Sequence, residues 1–352
     1  MKSRLWGVLL AALLACGEDE RPHRSFRMGF ANSAPRFDNL DLFVQSLGLW
    51  TQRADAAIIS NEVPWAELVG GITPEEYVIA NFVPLADYYR SKNLELWVYI
   101  DPQNGLDRSS DALELQALGK SIADADVQQA FIRYAFVVDS ILRPGHLGLA
   151  LETNLIRDAA SPDIYTGVRV AASNAAAVIR IKNPGVKLSV SVQVDHAWGR
   201  LAGGTYQGVE QDFADFAFID ELGLSSYPYF GFGSPAELPD DYYSRLLAGH
   251  DVPGFVSEGG WTSANASVPG GTSVNGTPEL QAQYIARQSH LLNNAGAIAV
   301  FSLTFTDIDL DALPPDVPAS IGYFAYLGLV DKDFQSKPAL AEWDKVFALP
   351  LR

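Results

Sequence analysis

Hydrophobic and polar positions follow two alternating rhythms along the chain. Short runs rich in β-branched and aromatic residues at 26–30, 56–59, 94–100, 147–151, 187–194, 222–225, 254–257 and 297–303 predict strands. Between them, apolar residues recur at steps of three and four over 74–93, 110–142, 165–182 and 278–294, which predicts amphipathic helices. Pro74 and Pro278 each follow a threonine, the order of a capping hydroxyl and a proline in the first helical turn. Strands that alternate with helices to the C-terminus predict an α/β fold with a parallel sheet, and eight strands suit a closed single (β/α)8 TIM barrel over 26–352. A doubly wound open sheet is the alternative; against it, the first strand ends Gly29-Phe30-Ala31-Asn32 and no G-x-G-x-x-G follows. No internal repeat or second linker divides the chain.

The N-terminus has a different pattern. Lys2 and Arg4 precede an apolar stretch over 5–14, and Leu13-Leu14-Ala15-Cys16 forms a small-residue cleavage site. Residues 1–15 therefore read as a signal peptide, too short to span the ~30 Å of bilayer hydrocarbon. The tetrad resembles the lipobox of bacterial lipoproteins. That resemblance implies acylation of Cys16, attachment to a membrane through the lipid alone, and a tether over 16–25; a plain secretory signal is the alternative. It places the protein in the bacterial cell envelope, and Gly17 after the cysteine implies the outer membrane in a Gram-negative source.

Composition narrows the partners. The 352 residues carry 25 Lys and Arg against 42 Asp and Glu, a formal charge of −17, which repels nucleic-acid phosphates. A single cysteine excludes an intrachain disulfide framework and any cysteine-rich metal site. In a barrel the reactive side chains stand at the C-terminal ends of the strands. Those ends supply Asn32, Trp65 just beyond Asn61-Glu62, Asp101, Glu152 with Asn154, Asp195-His196-Ala197-Trp198, Tyr227, Glu258 with Trp261, and Thr306-Asp307. Gly148, Ala150 and Glu152 fall on one face of the fourth strand, and Val256 and Glu258 on one face of the seventh, so both glutamates are expected to point into the mouth. Two carboxyl groups that face one another can cleave a glycosidic bond, one protonating the leaving oxygen and the other attacking or activating water.

Here the chain resembles clan A of the glycoside hydrolases, and most nearly family 53, the endo-β-1,4-galactanases. The likeness lies in Val256-Ser257-Glu258-Gly259-Gly260-Trp261 and Gly223-Leu224-Ser225-Ser226-Tyr227-Pro228. It implies Glu258 as nucleophile and Glu152 as acid/base, with Tyr227 orienting Glu258. Retention of configuration would follow, with the carboxyl groups about 5–5.5 Å apart. Glu152 must then hold its proton more tightly than Glu258, which calls for an apolar wall beside Glu152 and a donor such as Tyr227 beside Glu258. The clan's asparagine before the acid/base is Leu151 here, so Asn154 or another amide such as Asn32 is expected to take its role.

Asn32, Asp101, Asn154, Asp195 and His196 are expected to line a sugar pocket. At least one of Trp65, Trp198 and Trp261 is expected to act as a stacking platform. His196 has no H-x-H or H-E-x-x-H partner, and a hydrogen-bonding role is favoured over a metal ligand. Asp307, Asp309 and Asp311 alternate as Ca²⁺ ligands would, but the spacing lacks an EF-hand's glycine and glutamate and reads as a solvated acidic loop. The glycine-rich run over 269–276 has no Lys or Arg for a phosphate and reads as a mobile loop bordering the cleft. No cofactor is implied. These expectations converge on a surface-anchored retaining glycoside hydrolase of a neutral β-linked polysaccharide or oligosaccharide. A glycan-binding lipoprotein with a degenerate barrel is the alternative.

Overall fold

The structure is a computed structural model that describes residues 22–352 apart from 202, 269, 270, 272 and 316. The signal segment, Cys16 and part of the glycine-rich run lie outside the described residues. Eight strands form the barrel: β1 (Arg27–Phe30), β2 (Ala56–Glu62), β3 (Glu95–Asp101), β4 (His146–Gly148), β5 (Lys187–Gln193), β6 (Glu221–Ser226), β7 (Gly254–Gly259) and β8 (Ala299–Ser302). Each pairs in parallel with its neighbours, and a parallel bridge between Ala31 and Ile58 joins the outermost strands, so the sheet closes on itself. The open-sheet alternative is thereby set aside.

The helices start where side chains satisfy their free N–H groups. Thr73 accepts from the N–H of Glu76 in a capping box, and Thr277 accepts from the N–H of Leu280. Two expected helices are interrupted. The stretch over 74–93 is two helices, Pro74–Asn81 and Val83–Ser91, because Pro84 has no N–H to continue the first. The stretch over 110–142 is divided into Leu113–Ala117 and Ala125–Leu142, with Gly119 at positive φ between them. At the expected tether's end, Arg24 is buried and pairs with Asp55 at 2.7 Å, so the last tether residues are fastened to the barrel.

Burial separates into two layers. One lies between sheet and helices; the other fills the barrel with Trp97, Tyr99, Phe255 and Phe301 packed against Ala56, Ile58 and Ala299. Tyr99 crosses the interior to donate to Ser189 at 2.9 Å, and Gly148 and Gly223 leave the space its ring occupies; a Cβ at either would strike it. At the N-terminal end, His146 stacks on Trp97 with ring centroids 3.7 Å apart and contacts Glu221 at 2.7 Å and Glu95 at 3.1 Å. Glu95 is also paired with Arg27.

Burial opposes the charge on His146, but its hydrogen bonds and attraction to Glu221 and Glu95 raise its pKa above the ordinary 6.5. Its stabilisation is therefore complete below pH 6.5 and is lost as pH rises from there through the raised folded-state pKa. His146→Ala leaves the buried Glu221 unpaired and should cost about 3–5 kcal/mol in mildly acidic buffer. Urea denaturation across pH 5.5–9 should show the gap to wild type narrowing with increasing pH.

Candidate active site

A cleft of about 710 Å³ opens at the C-terminal ends of the strands. Glu152 and Glu258 both line it, but neither arrives there by regular strand alternation. β4 ends at Gly148; Leu149 faces the outer layer, Leu151 the inner one, and Glu152 takes a left-handed conformation (φ 50°, ψ 46°) at the start of helix Thr153–Ala159. On β7, Phe255 faces the barrel interior and Val256 the helices, which contradicts the expected shared face of Val256 and Glu258. A register shift follows: Leu224 pairs with Val256, but Ser225 pairs with Glu258. The extra residue, Ser257, is a β-bulge that turns Glu258 inward. Gly259 completes it at φ 152°, where a Cβ would strike the Ser226 carbonyl.

The Ser225 hydroxyl touches both carboxyl groups, Glu152 Oε1 at 2.6 Å and Glu258 Oε1 at 3.1 Å. Those two oxygens are therefore closer together than the roughly 6.5–9.5 Å between the carboxyl groups of an inverting pair. Tyr227 lies beside Glu258: burial first, then the charge of Glu258, raises its pKa. Its backbone N–H donates to the buried Asp195 at 3.2 Å, and Asp195 also accepts from Tyr242 at 2.6 Å.

Where an apolar wall was expected to set the state of Glu152, its nearest partner is a cation. Arg108, from the segment after β3, donates through Nε to Glu152 Oε2 at 2.8 Å and through Nη1 to Asp101 Oδ2 at 2.6 Å. All three side chains are buried. Although burial opposes its charge, the two carboxylates hold the guanidinium above its usual pKa. Asp101 is raised above its usual value because burial outweighs Arg108. Burial first, then the negative charge of Glu152, pushes Glu258 up to about 7. Glu258 is thus raised, where the expected mechanism needs its charged form held low.

Asn32 and Asp101 line the cleft, as expected of binding residues. The other expected pocket residues have internal partners. Asn154 is locked to the backbone of Gln193, donating to its carbonyl at 2.9 Å and accepting from its N–H at 2.8 Å, so it does not replace the missing asparagine. Asp195 acts within the wall that holds Tyr227. His196 contacts Asp158 at 2.7 Å outside the cleft. Trp65 and Trp261 are fully buried packing residues, and Trp198 donates to the Tyr242 carbonyl and stacks on its ring. Among the described residues, the aromatic lining is instead Tyr227, Phe230, Phe324 and Phe37. Gln193 and Arg108 also line the cleft and were not singled out from the sequence; Glu62, named there only as a strand end, lines it too. Asp307 and Asp309 each pair with a lysine, Lys337 and Lys332, rather than converging with Asp311. Among the described residues no group of three or more His, Cys, Asp or Glu is placed to hold a metal ion.

The buried indoles give a direct check on this placement. Trp65→Ala and Trp261→Ala should each destabilise the fold by roughly 3–5 kcal/mol. Denaturant midpoints should fall for both, whereas Phe230→Ala, at the cleft surface, should move them much less.

No family profile and no curated protein sequence matches the chain. Solved structures do match in fold. An exo-β-1,4-mannosidase from Opitutaceae bacterium strain TAV5 superposes with a TM-score of 0.66 at 15% identity, over 92% of this chain and 59% of that one. A family 1 β-glucosidase from Thermotoga maritima gives 0.62 at 12% identity, over 94% of this chain and 100% of that one. A glycoside hydrolase of family 5, subfamily 18, from Bifidobacterium longum gives 0.61 at 14% identity, over 93% and 81%. The chain spans well under two thirds of the mannosidase and nearly all of the glucosidase. It shares with all three the (β/α)8 barrel fold.

Proposed function

We propose that this protein is a retaining glycoside hydrolase of a neutral β-linked glycan, with Glu258 as nucleophile and Glu152 as acid/base. The observation that carries this reading is the pair of glutamates at the ends of β4 and β7, close enough for one serine hydroxyl to touch both. The barrel neighbours described as a mannosidase and a glucosidase support the same reaction class. The β6 and β7 end motifs resemble family 53, which favours a β-1,4-linked galactan among the candidate substrates. Asp101 and Glu152 already engage Arg108, so no unpaired cation faces the cleft among its described lining residues, in keeping with an uncharged substrate. In this mechanism Glu152 protonates the leaving oxygen as Glu258 bonds to the anomeric carbon; Glu152 then takes a proton from the water that releases the sugar. Leu151 in place of the clan's asparagine favours the alternative of a glycan-binding barrel without turnover.

Protein lacking residues 1–16, assayed on β-linked polysaccharides and aryl β-glycosides, separates the two readings. Glu152→Gln should lower kcat by about 10²–10⁴ on substrates with a poor leaving group. Glu258→Gln should lower it at least as far, with little change in Tm. Proton NMR of the first-formed anomer should show retention; inversion would remove Glu258 as nucleophile. Binding without turnover would support the alternative.

We further propose that the protein is a lipoprotein of the bacterial envelope, held by acylated Cys16. Cys16→Ser should release it from membrane fractions into the soluble fraction, read by immunoblotting. Unchanged membrane association would count against the lipid anchor.

A further inference from the structure

Two polar side chains at the mouth are each gripped by one atom and leave another without a protein partner. Glu62, the last residue of β2, accepts from the Gly105 N–H through Oε1 at 2.8 Å, while its Oε2 has no partner among the described residues. Gly105 allows that grip, because a Cβ there would stand 3.1 Å from the same oxygen. Asn32 follows β1, which neighbours β2 through the bridge from Ala31 to Ile58. Its Oδ1 accepts from the buried Tyr89 hydroxyl, so its Nδ2 is the atom left unpaired among the described residues. A free acceptor and a free donor thus line the cleft from adjacent strand ends. Phe37, a few residues beyond Asn32, lines it too and is 58% exposed. We infer that Asn32, Glu62 and Phe37 form a second sugar subsite, which holds the unit next to the one that reacts and makes the substrate a chain of at least two sugars.

A neutral sugar ring, the substrate of the glycosidase reading on which this subsite rests, needs a flat apolar surface for its C–H face and both donors and acceptors for its hydroxyls. Phe37, Asn32 and Glu62 supply one of each. The loops after β5, β6 and β8 supply less: Leu201, Phe230, Ile321 and Phe324 carry no polar side-chain atom. Glu62 is also set apart from the reacting pair. A Cβ at Gly105 would stand 3.8 Å from Asp101 Oδ2, and Arg108 links Asp101 to Glu152, so two side chains come between Glu62 and the proposed acid/base. On the far side of Phe37 the space continues into a hollow of about 410 Å³, walled by Ser33, Asn39, Leu40 and Phe43 and sharing Asn32 and Phe37 with the cleft. A chain that extends from the reacting pair therefore has room to pass over Phe37.

Calorimetric titration of protein lacking residues 1–16 and carrying Glu258→Gln reads binding without turnover. The probes are galactose, glucose and mannose, each with its β-1,4-linked oligomers of two to four units. One series should bind about tenfold more tightly, or better, as two units than as one. Glu62→Ala should reduce that gain by about tenfold and Phe37→Ala by about threefold, with smaller losses for the single sugar. Phe37 is exposed, so its substitution does not threaten the fold. Absence of any gain from one unit to several in every series, no binding at all included, would overturn the subsite. Losses of the same size at every length would also overturn it, since the residues would then touch only the reacting sugar. Failure of the glycosidase reading would appear separately: wild-type protein would leave the bound oligomers and aryl β-glycosides intact while both substitutions still weakened the longer chains.

Discussion

Two carboxyl groups within reach of one hydroxyl, in a cleft walled by Leu151, Phe230 and Phe324, cannot both be ionised without help. Most of the polar construction at the mouth answers that constraint. Arg108 neutralises one carboxylate and shares itself with Asp101; Ser225 bridges the pair; Tyr227 stands beside Glu258. Further back, Asp195 holds the Tyr227 backbone and is held by Tyr242. Burial raises Asp195 to about 6 even with those donors around it, a sign of how little water reaches this wall.

Backbone geometry does the aiming. Regular pairing would turn residue 258 toward the helices, the side that Val256 faces, and the bulge at Ser257 prevents it. Across the mouth Gly148 faces the interior, alternation lapses after it so that Leu151 takes the inner layer, and Glu152 enters the cleft from a left-handed turn. A non-glycine residue at φ 50° carries a strain of order 1–2 kcal/mol. The serine that receives the Glu152 N–H, Ser191, holds it at 3.0 Å and helps to fix that conformation.

The barrel was legible because its strands are buried on both sides and therefore read as near-continuous hydrophobic runs. All eight lie within a few residues of their expected positions. The helix interruptions at Pro84 and Gly119 were visible in the letters and outweighed by the apolar periodicity around them. The site was legible only by residue type. Both glutamates could be chosen from strand ends, but the face of each was inferred from an alternation that the local backbone does not keep. Trp65 and Trp261 stand beside the mouth in sequence and beneath it in space, since linear distance from a strand end does not tell which way an indole turns. Asn154 and His196 are polar residues whose partners, Gln193 and Asp158, occupy their hydrogen-bonding capacity. Arg108 carried no signal: it belongs to a long segment after β3, and only folding brings it to Glu152.

The bulge at Ser257 separates two kinds of selection. The hydrophobic residues of β7 fix the barrel, whereas the bulged pairing between Val256 and Gly259 fixes the direction of Glu258. Regular pairing of the same residues would seat Ser257 opposite Ser225, leave Phe255 and Val256 in their layers and swing the carboxylate out of the cleft. A change that straightens the bulge is therefore far more damaging to chemistry than to architecture. A lineage could keep the whole barrel and lose its reaction in a single step.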